Sequence, residues 1–447
     1  MILRVLRSPL PAVVALALGV VVTWIVLTPF SWDNDEQGHY WTARDIYLDG
    51  RLPASNEFPA AMFPSLPKQA AGQFRYHALP PTYYVIVAAL FNVQPGADAG
   101  LLPGALIGRG FSALLYVLAV VAVYHMARLF AAGNEDVAAL LAAGFAMIPQ
   151  VASTGASITA DALVLTSVSL LGWASVHAVR RDWDWTATAC VGLASALILM
   201  SRPSALPVLL VPMVMFAGCA RRDMRKRVIK AMAIVGLAVV PNLWWMIRNL
   251  VIFGEPLGAT AHVGYMDAQG VYAATSEFAM YKAESGWIGL PNLLFSTDWL
   301  LRFHTRLWFT GRYDSLSLFG WILAAALTAS ILIAILFAIG RLRPQSYVGI
   351  PKPLVRATPA ALLVVFVATA CLAALTSLEY GTFVVGRFST PVLGLFLVAT
   401  MGLFVTTRWK VLSRGLVATF VASMMVGHLV FWAGYVLPDL SGEGVPH

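Results

Sequence analysis

The chain has 447 residues, of which 59% are hydrophobic and only 12% are charged. Soluble globular domains carry about 25% charged residues, so this composition excludes a soluble protein and indicates an integral membrane protein. The formal net charge of +8 does not indicate nucleic-acid binding, because the basic residues lie in short links between apolar runs.

The first predicted element is an apolar run at 10–30, which is long enough to cross a bilayer. Arg4 and Arg7 precede it, as in a signal peptide. The run is too long for one, however, and no small-residue cleavage site follows it, so we predict a retained first span. A polar region comes next at 31–102, and its segment 36–49 is expected to lie on the membrane surface.

Further apolar runs recur to the end of the chain, and one of them is interrupted at Pro149. A stretch after Pro80-Pro81 is too short to span. The runs lie at 103–127, 137–156, 160–179, 185–201, 204–219, 230–247, 316–340, 357–378, 388–406 and 415–436. With the first run they predict about 11 transmembrane helices, which form one all-α, polytopic bundle over residues 1–447.

The basic residues predict the orientation. When the N-terminus is placed in the cytoplasm, every short cytoplasmic link carries Arg or Lys, as the positive-inside rule requires. The two long polar regions, 31–102 and 248–315, then form outer loops that face the periplasm or exterior. We expect amphipathic juxtamembrane helices in both loops, with Trp287, Trp299 and Trp308 at the interface in the second.

The stretch from Ser31 to Tyr40 places three carboxylates and a histidine directly after the first span. Asn34 can cap a new helix there, with Gln37 completing a capping box. In such a helix Asp35 and His39 share one face, while Glu36, Tyr40 and Arg44 form the neighbouring stripe. We predict a catalytic centre at this helix start. The structural alternative is that Asp33, Asp35 and Glu36 only favour the helix dipole.

A second acidic residue and several arginines are predicted on the same outer side. Asp161 lies between two apolar runs, and an ionised group at that depth usually faces a cavity or partner. It could instead belong to a helix start capped by Thr159 or Ser157. Arginines near outer span ends are expected to bind an anion such as phosphate, or merely to extend towards headgroups. They are Arg202, Arg248, Arg302, Arg306, Arg312 and Arg387, and His304 and His77 accompany them.

No signature of nucleotide binding or of a serine nucleophile accompanies these groups. There is no Walker sequence and no Gly-x-Ser-x-Gly, so a lipid-borne donor is favoured. Asp33 and Asp35 form an Asp-x-Asp pair that can bind a divalent metal, but without a third ligand the sequence does not predict a metal site. The three cysteines, all in apolar runs, imply no disulfides.

The stretch from Asp35 to Arg44, followed by Gly50-Arg51-Leu52-Pro53, resembles the first outer loop of the GT-C glycosyltransferases, which are multi-span enzymes that use lipid-phosphate sugars. The residues from His77 to Tyr84 are similar to the His-x-Pro-Pro-Leu-Tyr-Tyr sequence of many members, with one extra residue before the prolines. Further resemblance to one bacterial branch lies in Ala160-Asp161-Ala162-Leu163, Arg248-Asn249, Phe253-Gly254-Glu255-Pro256-Leu257-Gly258, Phe319-Gly320-Trp321 and Gly386-Arg387-Phe388.

The resemblance implies an inverting transfer of one sugar from a polyprenyl-phosphate donor to a hydroxyl of a glycan, lipid or protein, at the outer face of a bacterial cytoplasmic membrane. It implies that Asp35 is the general base, with Glu36 beside it in the catalytic centre. The residues expected to bind substrate or support the site are Asp33, His39, Tyr40, Arg44, His77, Asp161, Arg248, Arg302, His304, Arg306 and Arg387. No cofactor is required. Two other functions stay open, a flippase for lipid-linked sugars and a glycan ligase or polymerase that uses a diphosphate lipid.

Overall fold

The computed structural model describes residues 8–30, 36–52, 79–92, 101–219, 224–258, 328–336, 358–359, 361–369, 371, 390–407 and 409–432. Every regular element in these ranges is a helix, which confirms the all-α fold class for the described part of the chain. The principal helices are α1 (Leu10–Leu27), α2 (Glu36–Asp49), α3 (Thr82–Phe91), α4 (Leu101–Phe130), α5 (Glu135–Ala146), α6 (Pro149–Ala156), α7 (Ala160–Arg180), α8 (Trp185–Leu199), α9 (Leu210–Cys219), α10 (Met224–Val239), α11 (Leu243–Phe253), α12 (Thr390–Val405) and α13 (Lys410–Phe431).

Four helical stretches within the described residues are long and apolar enough to cross a membrane. They are Leu10–Leu27, Pro103–Phe130, Ala160–Arg180 and Arg225–Phe253. The bent pair α5–α6 makes a fifth if it is counted as one span. The other described apolar runs form shorter helices, so the predicted number of about 11 spans is not confirmed.

Helices α7 and α12 form the centre of the bundle. The apolar window of α7 is 83% buried, against 17% for the stretch that contains α10 and α11, and all residues of α12 are buried. Burying α7 requires partners for its hydroxyl groups. Ser167 and Ser169 each donate to the carbonyl oxygen four residues earlier in α7, which satisfies them within the helix. Thr166 is within hydrogen-bond distance of two carbonyl oxygens, that of Ala162 in α7 and that of Leu115 in α4.

A bend of 68° separates α5 from α6, as the interruption at Pro149 predicted. Proline is compatible with the first turn of α6, since its nitrogen needs no intrahelical acceptor there. The carbonyls just before the bend lose the amide donors that a continuous helix would supply. The Tyr116 hydroxyl donates to the Ala146 carbonyl over 2.7 Å, and the His428 ring contacts the Met147 carbonyl at 3.3 Å.

The hydrogen bonds of His428 determine which ring nitrogen carries its proton. Nε2 accepts from the indole N–H groups of Trp24 (3.0 Å) and Trp432 (3.1 Å). Indole nitrogens only donate, so the imidazole proton is on Nδ1, which donates to Met147. This buried histidine therefore links α1 and α13 to the bend.

Helix α2 is an inward-facing element over its first half. Residues Glu36, Gly38, His39 and Tyr40 to Ala43 are buried, whereas Leu48 to Gly50 are exposed. The prediction that 36–49 lies on the membrane surface stays a prediction, and the burial shows that the first half of α2 packs against other parts of the protein. Aromatic contacts contribute to this packing, since the Tyr40 ring contacts Trp41 within α2 and Phe91 of α3.

Candidate functional site

The start of α2 is held by a buried ion pair. Arg109 of α4 donates to both carboxylate oxygens of Glu36, with Nε–Oε1 and Nη2–Oε2 distances of 2.7 Å. The Glu36 side chain is 0% exposed and that of Arg109 is 5% exposed. The backbone N–H of Ile158, just before α7, also donates to Oε1 over 3.1 Å. One carboxylate therefore connects α2, α4 and the segment that leads into α7.

The same arginine fixes the end of α1. Its Nη1 group donates to the carbonyls of Ile25 (3.2 Å) and Thr28 (2.8 Å), and Nη2 donates to that of Pro29 (2.9 Å). A guanidinium has five N–H groups, and each has an acceptor here. Sequence reasoning missed Arg109. The available signal was an arginine inside an apolar run, since a charge at that depth implies a partner.

A second polar network lies beside this ion pair. His39 Nδ1 contacts the Tyr84 hydroxyl at 2.8 Å, and His39 Nε2 contacts the Thr159 hydroxyl at 3.3 Å. The Tyr83 hydroxyl accepts from the Thr159 N–H at 3.0 Å and pairs with the Ser112 hydroxyl at 2.7 Å. Burial raises the pKa of Tyr83 well above its ordinary value, so this phenol stays protonated. The network connects His39, a predicted substrate-binding residue, to α3 and to the start of α7.

Asp161 lies in the first turn of α7 and is buried. Its backbone N–H donates to the Thr159 hydroxyl over 3.2 Å, so Thr159 caps the helix as the structural alternative expected. Its carboxylate also pairs with Arg202, with an Oδ1–Nε distance of 3.1 Å, and the two side chains are 11% and 9% exposed. Asp161 is thus both at a capped helix start and in a buried ion pair.

The remaining described candidates occupy different surroundings. Tyr40 packs edge-to-face on Phe30, and burial raises the pKa of its phenol, with Arg44 partly offsetting that effect. Arg44 lies over the Trp41 ring with its Cζ 5.1 Å from the ring centroid. Arg248 in α11 donates to the Asn249 side chain over 3.1 Å.

The structure thus brings Glu36, His39 and Asp161 together at one end of the bundle, where α1 ends and where α2, α3 and α7 begin. We call this the site end. The Glu36 geometry favours a positioning role over the predicted catalytic one, because both carboxylate oxygens bond to Arg109. The described residues include no group of three His, Cys, Asp or Glu side chains that could hold a metal ion. Candidates outside the described residues stay predictions, namely Asp33, Asp35, His77, Arg302, His304, Arg306 and Arg387.

Comparison with known proteins gives one family match. A family model described as dolichyl-phosphate-mannose-protein mannosyltransferase matches residues 104–245, which is less than half of the chain. That range contains α5 to α10 and most of α4, and so includes Arg109, Asp161 and Arg202. No curated protein sequence matches the chain.

Among solved structures, the apo oligosaccharyltransferase of Archaeoglobus fulgidus matches with a TM-score of 0.55 and 13% identity, over 98% of this chain and 56% of that one. The same enzyme tethered to an acceptor peptide with the NVT sequon gives the same scores. The arabinosyltransferase EmbB of Mycobacterium smegmatis matches with a TM-score of 0.45 and 16% identity, over 88% of this chain and 30% of that one. The chain therefore spans about half the length of the archaeal enzyme, whose likeness shows a shared fold.

Proposed function

We propose that this chain, a membrane protein of the GT-C glycosyltransferase superfamily, transfers one sugar from a polyprenyl-phosphate donor to a hydroxyl acceptor with inversion at the anomeric carbon. The acceptor is a glycan, a lipid or a protein. The reaction takes place at the outer face of a bacterial cytoplasmic membrane, and the N-terminus lies in the cytoplasm. In this orientation the site end faces outward, as the distribution of basic residues predicts.

The observation that carries the proposal is the buried Glu36–Arg109 pair. It fixes the first residue of α2 against the end of α1 and the start of α7. Asp35 immediately precedes Glu36 in the sequence, and Glu36 is held on three sides. A general base must be positioned to within a fraction of an ångström by rigid elements. Glu36 and Arg109 are therefore positioning residues for Asp35.

The chemistry requires one proton acceptor and one stabiliser of negative charge. The acceptor hydroxyl attacks the anomeric carbon while Asp35 takes its proton. The bond from that carbon to the phosphate oxygen breaks, and the polyprenyl phosphate leaves with the electron pair and an additional negative charge. Guanidinium groups can stabilise that charge electrostatically. Arg248, Arg302, Arg306 and Arg387 are the proposed partners of the phosphate.

The proposal is tested by replacing Asp35 with Asn in the full chain. Purified protein is reconstituted in vesicles with a radiolabelled polyprenyl-phosphate sugar and a crude extract of envelope glycans, lipids and proteins as acceptor. Asp35→Asn should lower transfer at least about 100-fold, the lower range of a general-base contribution, with unchanged expression and thermal stability. The matched control is Asp49→Asn, because Asp49 lies at the exposed end of α2 and should keep full activity.

Three outcomes would overturn the proposal. Full transfer by Asp35→Asn would remove the assigned base. Transfer from a diphosphate lipid but not from a monophosphate lipid would indicate a ligase or polymerase. Movement of the labelled lipid across the vesicle membrane without any covalent product would indicate a flippase.

A further inference from the structure

We infer that the outer face along which α4 and α7 lie side by side binds an anionic phospholipid of the surrounding bilayer. This surface, which we call the α4–α7 strip, lies at the end of the bundle opposite the site end, because α7 begins at the site end and finishes at Arg180. From the middle of the bundle outward, its residues are Leu114, Leu118, Val121 and Leu170, then His125, Trp173 and His177, and finally Arg128 and Arg180.

The helical repeat places these residues on one side of each helix. In α4, Leu114 and Leu118 lie 11 and 7 positions before His125, and such spacings return to the same face. In α7, Trp173 and His177 are four positions apart. The rings of His125 and Trp173 contact each other across the two helices, with centroids 6.1 Å apart. The strip is therefore continuous over both helices.

Three half-buried rings give the strip a row of N–H donors. The Trp173 ring stacks on that of His177, with centroids 5.7 Å apart. None of the rings of His125, Trp173 and His177 has a hydrogen-bond partner among the described residues, and their nitrogens are not sealed inside the protein. Hydrocarbon offers no acceptor to such groups. The positive-inside rule accounts for arginines at a helix end, but not for this row of rings.

The outer end of the strip is positively charged. Arg128 and Arg181 are each in an ion pair with a partly exposed carboxylate, at 3.3 and 3.5 Å. Arg180 is exposed and has no ion pair among the described residues. Two further carboxylates near this end, those of Asp136 and Asp182, are exposed and do not pair with it. Its guanidinium group is therefore available to an anionic ligand.

The order of these groups matches a phospholipid that lies along the helices. Leu114 and Leu118 are exposed and lie about 10–16 Å before His125 along α4, where they can contact an acyl chain. The ring N–H groups can donate to phosphate oxygens, and Arg180 can pair with the phosphate charge. A zwitterionic headgroup fits less well, because its own cation would face the arginine.

The apolar half of the strip favours a lipid over a soluble anion, which would leave the leucines without a partner. In the orientation proposed above, this end of the bundle faces the cytoplasm. Anionic lipids give the cytoplasmic leaflet its negative surface potential, and basic side chains near the headgroups are attracted to it. The inference does not depend on sugar transfer.

The test uses the full chain, purified in detergent, and three variants. His177→Phe keeps an aromatic ring and removes its donor, and Arg180→Gln removes the charge. The matched control is Lys226→Gln, which removes one positive charge from α10 at the same end of the bundle, since Lys230, one turn further along α10, donates to the Trp183 carbonyl just after α7. The substituted residues are exposed or half-buried, so all three variants should keep the melting temperature of the wild type.

Equilibrium binding of phosphatidylglycerol and of phosphatidylcholine with the same acyl chains is measured by native mass spectrometry. The wild type should bind phosphatidylglycerol about fivefold more tightly, roughly the effect of one basic side chain on an anionic lipid. Arg180→Gln should abolish this preference. His177→Phe should weaken both lipids about tenfold, the contribution of one hydrogen bond to a charged group. Lys226→Gln should match the wild type.

Equal affinities of the wild type for the two lipids, unchanged binding by His177→Phe, or an equal loss with Lys226→Gln would overturn the inference. Displacement of phosphatidylglycerol by an excess of inorganic phosphate would also overturn it, because the strip would then bind a soluble anion. The assay contains no sugar donor, so its result is separable from the proposed function. Lipid selectivity in a chain that transfers no sugar would refute the transferase and leave this surface standing.

Discussion

Replacing Arg109 by Met is the most informative perturbation of this fold. It removes the partner of a carboxylate that is 0% exposed, and it leaves the carbonyls of Ile25, Thr28 and Pro29 without their donor. Removing one member of a buried ion pair costs about 3–5 kcal/mol, because the other charge stays buried without compensation. Glu36→Met should cost somewhat less, since Arg109 would still have three carbonyl acceptors.

The double variant separates the contribution of the ion pair from that of the other contacts of Arg109 and Glu36. When both charges are replaced by apolar groups, no uncompensated charge stays in the core, and such replacements are often close to neutral. The loss in the Arg109→Met/Glu36→Met double variant should therefore be smaller than the sum of the two single losses by up to about 3 kcal/mol. The free energy of unfolding is measured by SDS titration in mixed micelles, with tryptophan fluorescence as the signal.

The matched control is Arg128→Met, on the same helix. Arg128 pairs with Glu135 at 3.3 Å, and the side chains are 47% and 39% exposed. Exposed pairs contribute about 0–1 kcal/mol, so this variant should stay close to the wild type. Strictly additive losses in the Arg109–Glu36 cycle, or an equal loss for Arg128→Met, would show that the buried pair does not hold the start of α2.

Three further perturbations test the packing around the site. Tyr83→Phe leaves the Thr159 N–H without its acceptor and should cost about 1–3 kcal/mol at neutral pH. Because the pKa of Tyr83 is raised in the folded state, the phenol ionises first in the unfolded state as the pH rises above 10, and the wild type should lose stability there. The melting temperatures of the two proteins, measured against pH, should therefore converge above pH 10. Gly155→Ala places a Cβ 2.6 Å from Tyr116 Cβ and should lower stability by about 1–3 kcal/mol, whereas Gly110→Ala, with nothing within 4 Å, should be neutral or stabilising in the same SDS titration. His428→Phe removes the acceptor shared by the indole N–H groups of Trp24 and Trp432, and it should lower the free energy of unfolding by about 1–3 kcal/mol for each group. The near-ultraviolet circular dichroism spectrum should change as well.

The helices were predictable from the sequence because membrane-spanning segments must be apolar and must pair their backbone N–H and C=O groups with one another. The run at 103–127 corresponds to α4, and the run at 160–179 corresponds to α7. The bend at Pro149 was predictable for a similar reason, since proline cannot continue the preceding helix. The Thr159 cap was also visible locally, because a cap involves residues only two or three positions apart.

The long-range polar contacts of the bundle were not predictable in this way. Arg109 and Glu36 are 73 residues apart, and Trp24 and His428 are 404 residues apart. Composition and periodicity contain no information about which of several buried polar groups meet. The sequence therefore identified Glu36, His39 and Asp161 as a group at one membrane face, but it could not show that Glu36 bonds to Arg109 or that Asp161 pairs with Arg202.

The bend at Pro149 makes the position of α6 depend on side chains of two other helices. Hydrocarbon offers no hydrogen bonds to an interrupted backbone, so the kink is tolerated only while Tyr116 and His428 cap the carbonyls of Ala146 and Met147. Their side chains come from α4 and α13. Replacing either residue should therefore change the angle between α5 and α6, so that the placement of α6 against α7 is set by side chains far away in the sequence.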